Sequence, residues 1–132
     1  MTRAPDGHTG PWVEADLENG LFAGPVFGEY KPNTAVNFDF VTAVVKGKPH
    51  QFAIKAGDAT SGTLVTKYEG ARPSMQGYDP MKKQGAIILG IGGDNSNGSQ
   101  GTFYEGCMTM GYASDDTDAA IQANIVAVGY GK

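Results

Sequence analysis

The sequence predicts an all-β protein, a β-sandwich closed by one short C-terminal helix. Three observations carry that expectation. Glycine is abundant, 20 of 132 residues, and is spread without a strict period, as expected where short strands are joined by many turns rather than in a helical bundle or collagen. β-branched and aromatic runs recur between Gly/Pro punctuation. A helical pattern with its own start and stop signals closes the chain. The length suits a single domain, so residues 11–132 are read as one unit preceded by a polar, poorly ordered lead-in over residues 1–10.

Taken in order, Pro11 to Leu21 reads PWVEADLENGL. As an extended strand it sets Trp12, Glu14, Asp16 and Glu18 on one face, against Val13, Ala15, Leu17 and Asn19 on the other. Three carboxylates on one strand face are unusual, and a helix is the other option, bracketed by Pro11 and Gly20. Phe22 to Pro32 is a loop carrying Gly24, Pro25 and Gly28. Val36 to Lys46 is the best strand candidate, rich in β-branched and aromatic residues with early alternation. Gly47-Lys48-Pro49 signals a turn, and Gln51 to Ala56 returns as a second strand. After Ser61-Gly62, Thr63 to Tyr68 makes a third. Ala86 to Ile91 is a continuous apolar run, the pattern of a strand covered on both faces. A polar Gly/Asn loop follows from Gly92 to Gly101, and Thr102 to Met110 resumes strand character. Thr66-Lys67-Tyr68-Glu69-Gly70 and Thr102-Phe103-Tyr104-Glu105-Gly106 look alike, but two short matches establish no repeat. Ser114 or Asp115 then caps a helix whose first turn holds Asp115, Asp116 and Asp118, favourable at the positive end of the dipole. Ile121, Ile125 and Val128 form its apolar stripe and Gly129 its stop.

Charge and composition remove several function classes. Ten Lys+Arg against 14 Asp+Glu give a formal net charge of −4, and no basic run offsets it, which argues against nucleic-acid or anionic-membrane partners. No apolar stretch approaches the ~18–20 residues needed to cross a bilayer. Met1 to Gly7 has no apolar core after its positive charge, so it does not read as a secretory signal. Cys107, the single cysteine, makes neither an internal disulfide nor a thiolate metal site and reads as a small buried hydrophobe. With only His8 and His50, both read as surface residues, and no G-x-S-x-G elbow, nucleophilic triads fail. The loop from Asp94 lacks the ligand spacing of a calcium loop despite Glu105 at its twelfth position. Gly90-Ile91-Gly92 lacks the third glycine of a dinucleotide fingerprint. No metal or cofactor is called for.

Carboxylates remain. Asp16-Leu17-Glu18-Asn19-Gly20 and Gly92-Gly93-Asp94-Asn95 each join an acid to polar neighbours and glycines. Glycoside hydrolysis needs two such groups, one protonated to donate to the leaving oxygen and one charged to attack or to activate water. Glycines beside Asp94 let the backbone approach a sugar closely. The same residues are also what an ordinary surface turn looks like, and composition alone leaves both readings open.

At these clusters the sequence resembles the α-L-arabinofuranosidase B family, glycoside hydrolase family 54. The resemblance runs through WVEADLENGLF (residues 12–22), FVTAVVKGKP (40–49), GAIILGIGGDNSNG (85–98), GTFYEG (101–106) and QANIVA (122–127). It implies a concanavalin-like β-sandwich, or jelly roll, and retaining hydrolysis of terminal α-L-arabinofuranosyl groups from arabinan or arabinoxylan, with no cofactor. Glu18 matches the nucleophile and Asp94 the general acid/base; Asp16, Asn19 and Gly93 match sugar-contacting positions. The two carboxyl groups of such a pair should lie about 5–5.5 Å apart. The resemblance also implies secretion and an arabinose-containing polysaccharide or oligosaccharide as partner. It covers only the C-terminal part of the family's catalytic domain, without the adjacent cysteine pair and the active-site tryptophan that the rest supplies. Two expectations follow: an exposed sheet that favours a homodimer or a rearranged fold, and, as the alternative function, a non-catalytic carbohydrate-binding remnant.

Overall fold

The computed structural model describes residues 10–27, 33–81 and 100–132. Its elements run β1 (Ala15–Asp16), β2 (Leu21–Phe22), β3 (Val41–Lys48), β4 (Gln51–Asp58), β5 (Val65–Ala71) and α1 (Asp115–Val128). β3, β4 and β5 form an antiparallel sheet in that order, and β1 pairs with β2 in a small hairpin. The described residues are therefore mostly sheet with one helix, as the composition predicts. The expected strand at Ala86–Ile91 and most of the lead-in lie outside the described residues.

Strand limits shift from the sequence reading for identifiable reasons. The first long strand starts at Val41 rather than Val36 and runs through Lys48, because the β3–β4 reversal falls on Pro49 and His50. Proline fixes the first turn residue, and His50 takes the left-handed φ of +61° that the second position of such a turn requires. Between β4 and β5 the register slips after Ile54, so that Tyr68 faces Ile54 and Thr66 faces Lys55. Lys67 is the extra residue, a β-bulge, and its ammonium donates to the backbone and side-chain oxygens of Thr34 at 3.1 and 2.7 Å.

The sheet's two faces bury different chemistry. Phe52 and Ile54 point to one face, where they form the apolar core with Ala15, Leu17 and Phe22 of the hairpin. On the other face Lys46 and Lys55 meet the first turn of α1. Ser114 is the N-cap, its hydroxyl accepting from the Thr117 N–H, and Gly129 closes the helix in the left-handed conformation; both match the sequence reading. The predicted apolar stripe does not hold the helix in place. Its buried residues are Asp118 and Gln122, whereas Val128 is more than half exposed. Gln122 donates to the Asp58 carbonyl at 2.7 Å, so the helix is seated by polar contacts.

Two further expectations fail. Thr102 to Met110 forms no strand, and its residues are exposed. Among the described residues no strand lies alongside to complete its ladder. It is held instead by Tyr104, which packs on Phe40 and Tyr130 at 5.5 and 5.1 Å, and by Glu105, which accepts from the Tyr130 hydroxyl at 2.5 Å. Cys107, in the same segment, is exposed rather than buried.

Candidate active site

The segment expected to be one continuous strand from Pro11 to Leu21 is instead a tight hairpin. Ala15 faces Phe22 and Asp16 faces Leu21. Alternation survives through the turn's first residues, with Ala15 and Leu17 buried and Asp16 and Glu18 exposed, but Trp12, Glu14, Asp16 and Glu18 do not share a strand face. Glu18 sits at the apex with φ +71°. The Asn19 N–H donates across it to the Leu17 carbonyl at 2.9 Å, a γ-turn of the rare, strained hand. The Asp16 carboxylate accepts the Glu18 N–H at 3.1 Å, and the Leu17 N–H donates to the Gly20 carbonyl at 3.1 Å. Gly20 closes the turn at φ +127°, which a side chain would oppose.

This apex borders a groove of about 700 Å³ whose walls include Glu14, Asp16, Glu18, Val45, Tyr78 and Met81. The sheet supplies the floor through Ala43 to Val45 and Ile54. The far wall is the loop after β5, folded on itself by reciprocal backbone bonds between Met75 and Tyr78 at 2.9 and 3.1 Å. Arg72 pins this loop, donating to Asp79 Oδ1 at 3.0 Å and to the Pro80 carbonyl at 2.9 Å. Tyr78 is buried, stacks on Phe22 and donates its hydroxyl to the Leu17 carbonyl at 2.5 Å. Glu14 carries a buried Oε1 without a hydrogen-bond partner among the described residues, and burial pushes its carboxyl above the ordinary range.

Of the five site residues expected from sequence, Asp16, Glu18 and Asn19 come together on one turn. Asp94 and Gly93 lie outside the described residues, as does His8. His50 is exposed at the β3–β4 turn. Tyr78, Arg72 and Glu14 were not singled out by sequence reasoning as site residues. Nothing local marks the first two, whose relation to Glu18 exists only once the loop folds back on the hairpin. Glu14 carried a signal, an acid two residues from Asp16.

A glycine-closed acidic turn on a groove is a general arrangement; the comparisons with known proteins make it specific. The family model described as "Alpha-L-arabinofuranosidase B, catalytic" matches residues 2–131. The chain belongs to the α-L-arabinofuranosidase B catalytic family. It is 61% identical over 121 residues to "Alpha-L-arabinofuranosidase" from Hypocrea jecorina, covering 92% of this chain and 24% of that one. The same identity and coverage hold for "Arabinofuranosidase/B-xylosidase" from Trichoderma koningii. A solved glycoside hydrolase family 54 α-L-arabinofuranosidase soaked with 4-nitrophenyl α-L-arabinofuranoside superposes with a TM-score of 0.82 at 56% identity, over 91% of this chain and 25% of that one. An arabinofuranosidase complexed with arabinofuranosyl-α-1,2-xylobiose superposes equally well, with a TM-score of 0.82. The chain thus spans about a quarter of the length of the relatives it matches.

Proposed function

We propose that this arabinofuranosidase-family chain carries the catalytic carboxylates of a retaining α-L-arabinofuranosidase, acting on terminal arabinofuranosyl groups of arabinan or arabinoxylan. Glu18 is the nucleophile and Asp94 the general acid/base, with Asp16, Asn19 and Gly93 as sugar contacts and residues 11–132 acting as one unit. The observation that carries the reading is the placement of Glu18 at the apex of a strained turn on the groove, in a chain of this family. Strain of this kind clusters where a side chain has to be presented in one orientation.

In the first step the Asp94 carboxyl protonates the departing glycosidic oxygen while Glu18 attacks the anomeric carbon from the opposite face. This breaks the glycosidic bond and forms a glycosyl ester on Glu18. Water, deprotonated by the Asp94 carboxylate, then attacks the same carbon and releases arabinose with net retention. No metal or organic cofactor enters this scheme. Secretion and an extracellular hemicellulose substrate belong to the same proposal, as does self-association through exposed sheet residues such as Val41 and Val65, outside the groove; sedimentation as a monomer at high concentration would remove the last.

Release of 4-nitrophenol from 4-nitrophenyl α-L-arabinofuranoside is the test, with Glu18→Gln and Asp94→Asn as controls. Turnover lost in both variants supports the proposal. A second reading is a non-catalytic carbohydrate-binding remnant of the same fold, for which the groove beside Asp16 and Glu18 would serve equally. Arabinose binding without turnover, persisting in Glu18→Gln, would establish it instead.

A further inference from the structure

We infer that Tyr78 is a positioning residue for Glu18: its phenolic hydroxyl binds the Leu17 carbonyl that closes the turn around Glu18 and locks the carboxylate-bearing turn in its left-handed conformation. The inference rests on the reading of Glu18 as the nucleophile. Tyr78 Oη donates to the Leu17 carbonyl at 2.5 Å, and the same carbonyl accepts the Asn19 N–H across Glu18 at 2.9 Å. The hydroxyl therefore holds the one acceptor that closes the turn around Glu18.

Glu18 needs such a clamp. Its φ of +71° is adopted by few residues other than glycine, asparagine and aspartate, and the γ-turn hydrogen bond at its base is weak compensation. Left to itself the turn relaxes toward negative φ, which swings the side chain off the groove. The Asp16 carboxylate restrains the same turn at the Glu18 N–H, but it is exposed and local. Tyr78 instead comes from a distant loop, 61 residues away in sequence, and its own position is over-determined. The ring is stacked on Phe22, the backbone is paired with Met75, and the next two residues are tied by Arg72. Burial, then the charge of Glu18, pushes the phenol above its ordinary range, so the hydroxyl remains a donor throughout the neutral region.

The test uses the full chain and Tyr78→Phe, which keeps the ring and removes the hydroxyl. Two readouts are taken. The one-bond Cα–Hα coupling and Cα shift of Glu18 report the sign of φ by NMR. Covalent labelling by an arabinofuranose-configured cyclic sulfate, followed by intact mass and peptide mapping, reports the competence of the carboxylate. Tyr78→Phe is expected to lose the positive-φ signature and to label about ten- to a hundredfold more slowly, the usual scale for a misplaced reacting group. Retention of the wild-type signature at Glu18 in Tyr78→Phe overturns the inference, as does an unchanged labelling rate alongside labelled wild type. Wild type that fails to label at Glu18 overturns the nucleophile reading instead, while the NMR signature still decides the role of Tyr78. Should Tyr78→Phe lose its native fold, Glu18→Gly separates the roles, because glycine tolerates the turn unaided. Loss of denaturant resistance on adding Tyr78→Phe that is smaller in the Glu18→Gly background than in wild type supports the clamp. Equal loss in both backgrounds reduces Tyr78 to packing.

Discussion

The Lys46 ammonium, on the middle of β3, donates to Asp118 Oδ2, in the first turn of α1, at 2.5 Å, and both side chains are almost wholly excluded from solvent. Lys55 reaches the same carboxylate oxygen at 2.8 Å from the neighbouring strand. Two ammonium groups on one sheet face thus converge on a single buried carboxylate, with the exposed Asp115 closing the group at 3.2 and 2.6 Å. The helix is fastened through charge where most helices are fastened through an apolar stripe. Tyr112 lies over the arrangement, its ring 4.7 Å from the Lys46 ammonium and 4.5 Å from that of Lys48.

Replacing Asp118 by Ala removes the buried carboxylate that both ammonium groups share and leaves them the exposed Asp115 and, for Lys46, the Ala113 carbonyl. Removing one member of a buried ion pair costs about 3–5 kcal/mol, and chemical denaturation of Asp118→Ala should show a loss on that scale. A loss below about 1 kcal/mol, the value of an exposed pair, would mean that the helix is held elsewhere.

The same group sets the acid limit of stability. At Asp118 burial works upward, but the hydrogen bonds and charges of Lys46 and Lys55 outweigh it and hold the carboxyl below the ordinary carboxylate range. Hydrogen bonds from Lys55, then Lys46, lower Asp115 likewise. A carboxyl whose folded pKa is depressed contributes stability that is present above its unfolded value and lost as pH falls through the folded one. Thermal stability should therefore drop steeply below about pH 4, and Asp118→Asn should flatten that limb in a series of melts from pH 6 to pH 2.

Glu14 has the opposite sign. Its carboxyl is raised above the ordinary range by burial, so folding favours the protonated form and stability declines as pH rises from the ordinary carboxylate pKa toward the raised folded one. Glu14→Gln should melt at a higher temperature than wild type at pH 7 and at nearly the same temperature at pH 3. A variant less stable at both pH values would assign Glu14 a partner in the native state.

Gly20 is the hinge of the acidic turn. Its φ is +127°, and an added Cβ would stand 2.5 Å from the Phe27 ring. The ring, largely exposed, can move aside; the backbone conformation cannot be kept without strain. Gly20→Ala should cost about 1–3 kcal/mol and, on the proposed reading, reduce turnover by displacing Glu18. Circular dichroism melts and 4-nitrophenyl arabinofuranoside turnover would check the two parts separately.

Much of the fold was legible because its signals are local. The C-terminal helix announces itself by Ser114, its early aspartates and Gly129, and each does what its position implies. β3, β4 and β5 follow from β-branched and aromatic runs between turn residues, with errors confined to their ends. Strand length depends on where partners pair, so the bulge at Lys67 was out of reach, and the turn expected over Gly47-Lys48-Pro49 falls slightly later, on Pro49 and His50. The clearest case is the pair of look-alike segments, Thr66 to Gly70 and Thr102 to Gly106. The first is strand because β4 supplies a ladder on one side; the second, with nearly the same residues, lies extended and exposed.

At the candidate site the sequence determined the family. WVEADLENGLF carries the resemblance, and the placement of Asp16, Glu18 and Asn19 on one turn needs only the short span between Ala15 and Phe22. Tertiary structure decided how Glu18 is presented. A continuous strand satisfies the local pattern equally well, but burying Ala15, Leu17 and Phe22 against Phe52 and Ile54 folds the segment into a hairpin. That places Glu18 at its apex, with Tyr78 brought from a distant loop to hold it. Alternation reports which residues face a core, and it is silent on where the chain has to reverse to reach that core. Likewise the acids of the first helical turn were visible as dipole partners, while their engagement by Lys46 and Lys55 required two strands to be paired side by side. Short-range preferences are written along the chain; long-range electrostatics and core closure exist only once the chain is folded.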